Sequence, residues 1–296
     1  MEILDVKNEA RERLHLIHET RYDYSEPVEF GPHRLVLRPR EGHDVRLQTM
    51  ILETFPPATV RWYRDILDNS IAVAEFREPS AELRIRSEFV IALPAADEGR
   101  HHPAAVSYPP QIAGIDELIT VPYRQFTYPH EVERLRKWSA ANSLTFTTGE
   151  RRAIFDDLAT RIHASIRYTR REESGVQSPV STLDFGSGSC RDMAVLMIEI
   201  SRAMGFPARF VSGYLESSNS KVGRGSSHAW VEIYLPEKGW TGYDPSIGQR
   251  TGPGHVPVGV SHHPRGVMPV TGGYVGPPGV TSKLTVSIST QRLAAQ

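Results

Sequence analysis

The chain has 296 residues, 39% hydrophobic and 23% charged, with 34 basic against 35 acidic side chains and a formal net charge of −1. That is the profile of a soluble globular protein, long enough for one large or two medium domains; it argues against a nucleic-acid footprint, and no run of about 18 apolar residues is present to span a membrane. A single cysteine excludes an intramolecular disulfide, and the charged N-terminal stretch lacks the apolar core of a signal peptide, so a cytoplasmic location is expected.

The first third reads as β structure. Short alternating runs at His15 to Thr20, Glu29 to Arg38, Leu47 to Phe55, Val60 to Arg64, Ser70 to Phe76 and Leu83 to Leu93 are divided by turn signals. This pattern predicts an antiparallel sandwich over residues 1–110, ending in a Pro/Ala/His-rich linker from Leu93 to Pro110. Ser107 to Tyr128 reads as an irregular connection. Beyond Pro129 the period changes. Val132, Leu135 and Trp138 share one face, and Ile154, Leu158, Ile162 and Ile166 recur at spacing four, so both stretches are helices. Ser178 to Ser189 reads as a loop. A helix starting at Cys190 carries Met193, Met197, Ile200 and Met204 and stops at Gly205, with Pro207 beyond it. Strands follow at Ala208 to Leu215, His228 to Leu235, Gly239 to Asp244 and His255 to Ser261, with a last one at Ser282 to Ser289. Residues 111–296 are thus expected to form an α+β core that includes the C-terminal strands.

Three residues carry the chemistry. Cys190 opens a helix behind Gly186-Ser187-Gly188-Ser189, where unpaired N–H groups and the positive dipole end favour a thiolate and can hold a developing oxyanion. His228 begins one strand and Asp244 ends the next, and a turn at Glu237-Lys238-Gly239 makes them neighbours in a hairpin. The expectation is Cys190 as nucleophile, His228 as base and then acid, and Asp244 as the group that orients the imidazole. Gly188, Ser189 and Trp230 are the candidate substrate-binding residues, although Trp230 and Trp240 also suit a core. The Ser/Gly-rich loop Glu216 to Ser227 suits either a lid or a disordered segment.

These residues resemble the transglutaminase-like superfamily of papain-like thiol enzymes. The motifs are Gly188-Ser189-Cys190-Arg191-Asp192, Gly205-Phe206-Pro207-Ala208-Arg209, His228-Ala229-Trp230-Val231-Glu232, and Gly239-Trp240 with Asp244-Pro245. Tyr22 to Val28 and Leu35 to Arg40 are similar to the β-rich domain that precedes the core in bacterial members. The resemblance implies an N-terminal β-sandwich followed by a transglutaminase-like core. It implies attack of the Cys190-His228-Asp244 triad on a peptide or glutamine-type amide, and a thioester resolved by water or an amine. A protein or peptide is then the partner. Arg191 stands where animal cross-linking members have Trp, and Leu183 to Ser189 holds no Trp to brace an oxyanion, which favours hydrolysis over cross-linking. The alternative is a non-catalytic interaction module that keeps the fold. His101, His102, His255, His262 and His263 read as solvated loop histidines; no cofactor and no metal are expected. Oligomeric state is not legible.

Overall fold

The computed structural model describes residues 12–42, 45–93, 110–142, 144, 151–171, 175–216, 227–236 and 238–293. The expected linker at 94–109 and the Ser/Gly-rich loop at 217–226 lie outside the described residues. Two compact units are present, Met1–Arg64 with Ser70–His102 and Val270–Gln296, and Asp65–Asn69 with Pro103–Pro269.

The first unit is built from β1 (Arg13–Phe30), β2 (His33–Leu35), β3 (Arg46–Phe55), β4 (Ala58–Arg64), β5 (Ser70–Phe76) and β6 (Ser80–Ala92). In the first turns of β1 the alternation is strict: Leu14, Leu16, His18 and Thr20 are buried and their neighbours are not, the period-two pattern of a strand with one face on a core. Leu83 and Ile85 on β6 meet Leu35 on β2 and Ala72 and Ala74 on β5, so the apolar faces of two sheets share one core, as a sandwich requires.

The second unit holds α1 (Pro110–Thr120), α2 (Val132–Ala141), α3 (Arg151–Ser165), β7 (Arg167–Tyr168), α4 (Pro179–Phe185), β8 (Ser187–Gly188), α5 (Cys190–Ala203), β9 (Ala208–Leu215), β10 (His228–Leu235), β11 (Gly239–Asp244), β12 (Gln249–Arg250) and β13 (His255–Ser261). Its antiparallel sheet runs β12-β11-β10-β9-β13, and α5 packs on β9 and β10. Met193, Ala194, Leu196, Met197 and Ile200 of α5 are wholly buried, as in a helix covered on most sides.

Three expectations are corrected. Residues 110–120, read as irregular, form α1; its apolar residues Ile112, Ile115, Leu118 and Ile119 recur at helical spacing, a signal missed in that reading, and Ile115, Leu118 and Ile119 are exposed. Ser178 to Ser189 contains α4, with Ser178 accepting from the Ser181 N–H, Pro179 at the first position and left-handed Gly186 closing it at φ 58°. Those caps are sequence-readable signals of a short helix. The chain after residue 269 does not stay with the core. β14 (Val270–Thr271) pairs β2, β15 (Tyr274–Val275) pairs β1, and β16 (Ser282–Leu293) pairs β1 from Arg13↔Leu293 to Tyr24↔Ser282. The unpaired edge of β1, opposite β6, offers a full row of backbone groups, and β16 satisfies it. Alternation shows that a strand has two faces, but it does not name the partner. Among the described residues no helix is long and apolar enough to cross a membrane.

Candidate active site

Cys190 is the first residue of α5 and is 6% exposed. Two devices fix the turn that delivers it. On one side β8 pairs in parallel with β7, and the Thr169 N–H donates to the Gly188 carbonyl at 2.9 Å. On the other, Asp192 reaches back from the first helical turn. Its Oδ2 accepts from the Ser189 N–H and from Ser189 Oγ, both at 2.8 Å, and its Oδ1 accepts from the Gln177 N–H at 2.7 Å and Arg171 Nη1 at 2.8 Å. A fully buried carboxylate is tolerable only with this complement of donors. The first N–H groups of α5 have no acceptor within the helix, and the Cys190 N–H among them is suited to an oxyanion.

Gly188 and Ser189 were expected to bind substrate. Both are buried, and their polar groups are committed, Gly188 O to Thr169 and Ser189 N–H and Oγ to Asp192. They hold the turn before Cys190 rather than offering these groups to a ligand. Asp192→Asn, which leaves one acceptor oxygen for donors that had two, is expected to cost about 1–3 kcal/mol of stability. It should also slow alkylation of Cys190, read by urea denaturation beside iodoacetamide kinetics.

Strand pairing brings the other two groups together. Val231 lies opposite Tyr243, so His228 and Asp244 fall near one another at the adjoining ends of β10 and β11. His228 Nε2 is 2.6 Å from Asp244 Oδ2, and both side chains are fully buried. Asp244 Oδ1 accepts from the Ser246 N–H at 2.9 Å and Ser246 Oγ at 2.6 Å, and the Ser246 carbonyl accepts from His163 Nδ1 at 3.0 Å. His228 Nδ1 is buried without a hydrogen bond of standard geometry, while the Cys190 side chain lies close enough to act on the ring. Because Nε2 donates to the carboxylate, the lone pair of a neutral His228 sits on Nδ1, the atom left for the thiol.

Burial by itself would lower the His228 pKa. The charge and hydrogen bond of Asp244, followed by the Cys190 side chain, overturn that, and the pKa is pushed up to about 10. Burial likewise works to raise Asp244, but His228 first and His255 second hold its carboxyl far below the usual range.

His255, read from sequence as a solvated loop residue, is instead a member of this cluster. Its Nε2 lies 3.1 Å from the same Asp244 Oδ2, with its side chain 6% exposed. No motif marks it; the one signal was its position at the head of a strand. His228, Asp244 and His255 together could in principle hold a metal ion. A tetrahedral ion bound at about 2.0–2.1 Å needs its ligand atoms about 3.3 Å apart, and the 2.6 Å between His228 Nε2 and Asp244 Oδ2 is too short. The donor set fits a hydrogen-bond network better than a metal.

Trp230 was expected to line a substrate path. It is 2% exposed and packs with Val211 and Val260, its ring edge-on to His255 at 5.2 Å. A Cβ on Gly213 would lie 2.5 Å from the indole, so only glycine there lets the ring settle over β9. Trp230 therefore backs the imidazoles. Trp240 carries the Arg209 guanidinium 4.0 Å above its ring and takes no part in the cluster.

Residues 139–245 match the model of the transglutaminase-like superfamily, and residues 14–92 that of the bacterial transglutaminase-like N-terminal region. An uncharacterised protein of Mycobacterium leprae is 27% identical over 296 residues, covering 95% of this chain and 99% of the relative. A protein-glutamine gamma-glutamyltransferase of Pseudomonas aeruginosa is 39% identical over 69 residues, 21% of this chain and 10% of that protein. The solved structure of a provisionally assigned cysteine protease from Cytophaga hutchinsonii has a TM-score of 0.70 at 14% identity, covering 97% of this chain and 92% of that one; the likeness is one of fold.

Proposed function

The chain belongs to the transglutaminase-like superfamily, and from that premise we propose that it is a cysteine-dependent amide hydrolase or acyltransferase acting on protein or peptide substrates. One observation carries the reading: His228 Nε2 lies 2.6 Å from Asp244 Oδ2, its Nδ1 is left without a hydrogen bond, and the Cys190 side chain lies close enough to act on the ring. The thiol proton passes to His228 Nδ1, and sulfur attacks the amide carbonyl carbon. The carbonyl electrons move to oxygen, which the first N–H groups of α5 receive. As the tetrahedral adduct collapses, the C–N bond breaks and the leaving amine or ammonia takes the proton from Nδ1. The resulting thioester is opened by a second nucleophile whose proton returns to His228. Water is the favoured second nucleophile, since Arg191 follows the cysteine and residues 183–189 hold no tryptophan. The test is intact-mass detection of an acyl adduct on Cys190, with ammonia release, across glutamine-containing and ordinary peptides. Absence of any Cys190 adduct over the whole panel, with the protein folded, overturns the proposal.

The charge on His228 sets the alkaline limit. With its folded pKa raised above 6.5, the ion pair contributes fully below that ordinary value and is lost as pH rises through about 10. Asp244→Asn removes the principal force raising it and leaves burial opposed by little. The alkaline limb of kcat/KM is therefore expected to move down by more than one pH unit, with kcat reduced about 10²–10⁴-fold. A pH–rate profile of the two proteins checks both.

A further inference from the structure

His255 is held on three sides. The His255 N–H donates to the Gly252 carbonyl at 2.9 Å, and the Gly252 N–H donates to His255 Nδ1 at 3.1 Å, so main chain and ring are tied to the same residue. The edge-on indole of Trp230 closes another side. Asp244 Oδ2 closes the third, at 3.1 Å from Nε2. A backbone N–H can only donate, so Nδ1 bears the lone pair and Nε2 bears the proton, which goes to the carboxylate. Asp244 Oδ2 thus receives two imidazole N–H groups and Oδ1 receives the Ser246 N–H and hydroxyl. All of the acceptor directions of the carboxylate are filled, and it cannot swing away from His228.

We infer that His255 is a positioning residue for the reaction: as a fixed N–H donor it locks the shared oxygen of Asp244, and through it the direction in which His228 Nδ1 points at Cys190. The inference rests on the triad reading given above. Ser246 alone holds only Oδ1, and rotation about that anchor would turn Oδ2, and the imidazole with it, off the thiol. Small misplacements of this kind cost up to about a hundredfold in rate. The second N–H also favours the ionised form of Asp244; among the described residues, His228, Ser246 and His255 are the polar side chains on that carboxylate.

The experiment measures iodoacetamide alkylation of Cys190 against pH in the full chain, with kcat and KM wherever a peptide is turned over. His255→Leu is expected to slow alkylation at neutral pH by roughly tenfold and to lower kcat by about 10–100-fold with KM within about twofold. His255→Gln can accept from Gly252 and donate to Asp244, and should restore most of the rate. If the leucine protein does not fold, His255→Asn, polar but too short to reach Oδ2, takes its place. Alkylation within twofold of wild type in the leucine or asparagine protein, or equal loss in the glutamine protein, overturns the inference. The two readings fail differently. If His228→Ala leaves Cys190 alkylation unchanged, the triad itself is wrong; if His228→Ala quenches it and His255→Leu does not, only the role of His255 is wrong.

Discussion

Cys190→Ala is expected to lower amide turnover by about 10⁴-fold or more while leaving the fold intact, and His228→Ala to lower it nearly as far. The double variant should be little worse than either one. In the proposed mechanism the sulfur is useless without a proton acceptor, and Nδ1 of His228 has no hydrogen-bond partner among the described residues. Independent contributions would instead multiply, and the double variant would lose the product of the two factors. Steady-state kinetics on the three proteins, with circular dichroism to check folding, separates the cases. Turnover by the Cys190→Ala protein at the wild-type rate rules the assignment out.

Arg202→Met is expected to destabilise the second unit by about 3–5 kcal/mol. Arg202 and Glu199 form a buried pair on α5 at 2.6 Å, with side chains 0% and 1% exposed. The guanidinium also donates to the carbonyls of Tyr123, Ala208 and His262, and Glu199 accepts from the Thr127 and Tyr128 N–H groups. The pair thus fastens the end of α5 opposite Cys190 to the heads of β9 and of the segment after β13. Replacing both members of an isolated buried pair by apolar residues can be close to neutral. Here it is not, because the double variant Glu199→Leu/Arg202→Met would strand those main-chain groups, each at about 1–3 kcal/mol. Urea midpoints should place the double variant at least as low as either single one; a double variant near wild type would show that water replaces the lost partners.

Much of the site was legible because its parts are local. Cys190 at a helix mouth after two glycines, and a hairpin joining His228 to Asp244, follow from short-range period and turn signals, and β9, β10, β11 and β13 begin and end where the alternation does. The partners of those parts were less legible. Gly188 and Ser189 looked available to a ligand until Asp192 and Thr169 claimed their polar groups. Trp230, two residues from the base, suited either a tunnel wall or a core, and the space left by Gly213 on the neighbouring strand decided for the core. His255, far along the chain in a Gly/Pro-rich stretch, had only its place at the head of β13 to set it apart from a solvated loop residue, and that place names no partner.

The sequence by itself determined the order of the candidate groups and the elements that carry them, because helix mouths, strand alternation and turn chemistry are properties of neighbouring residues. Only the tertiary structure decided that Asp244 serves two imidazoles and that β16 completes the sheet of the first unit beside β1. Each depends on which strand edge or side chain lies across a gap in space, and a carboxylate oxygen or an open row of backbone groups accepts any partner that the folded chain brings within about 3 Å.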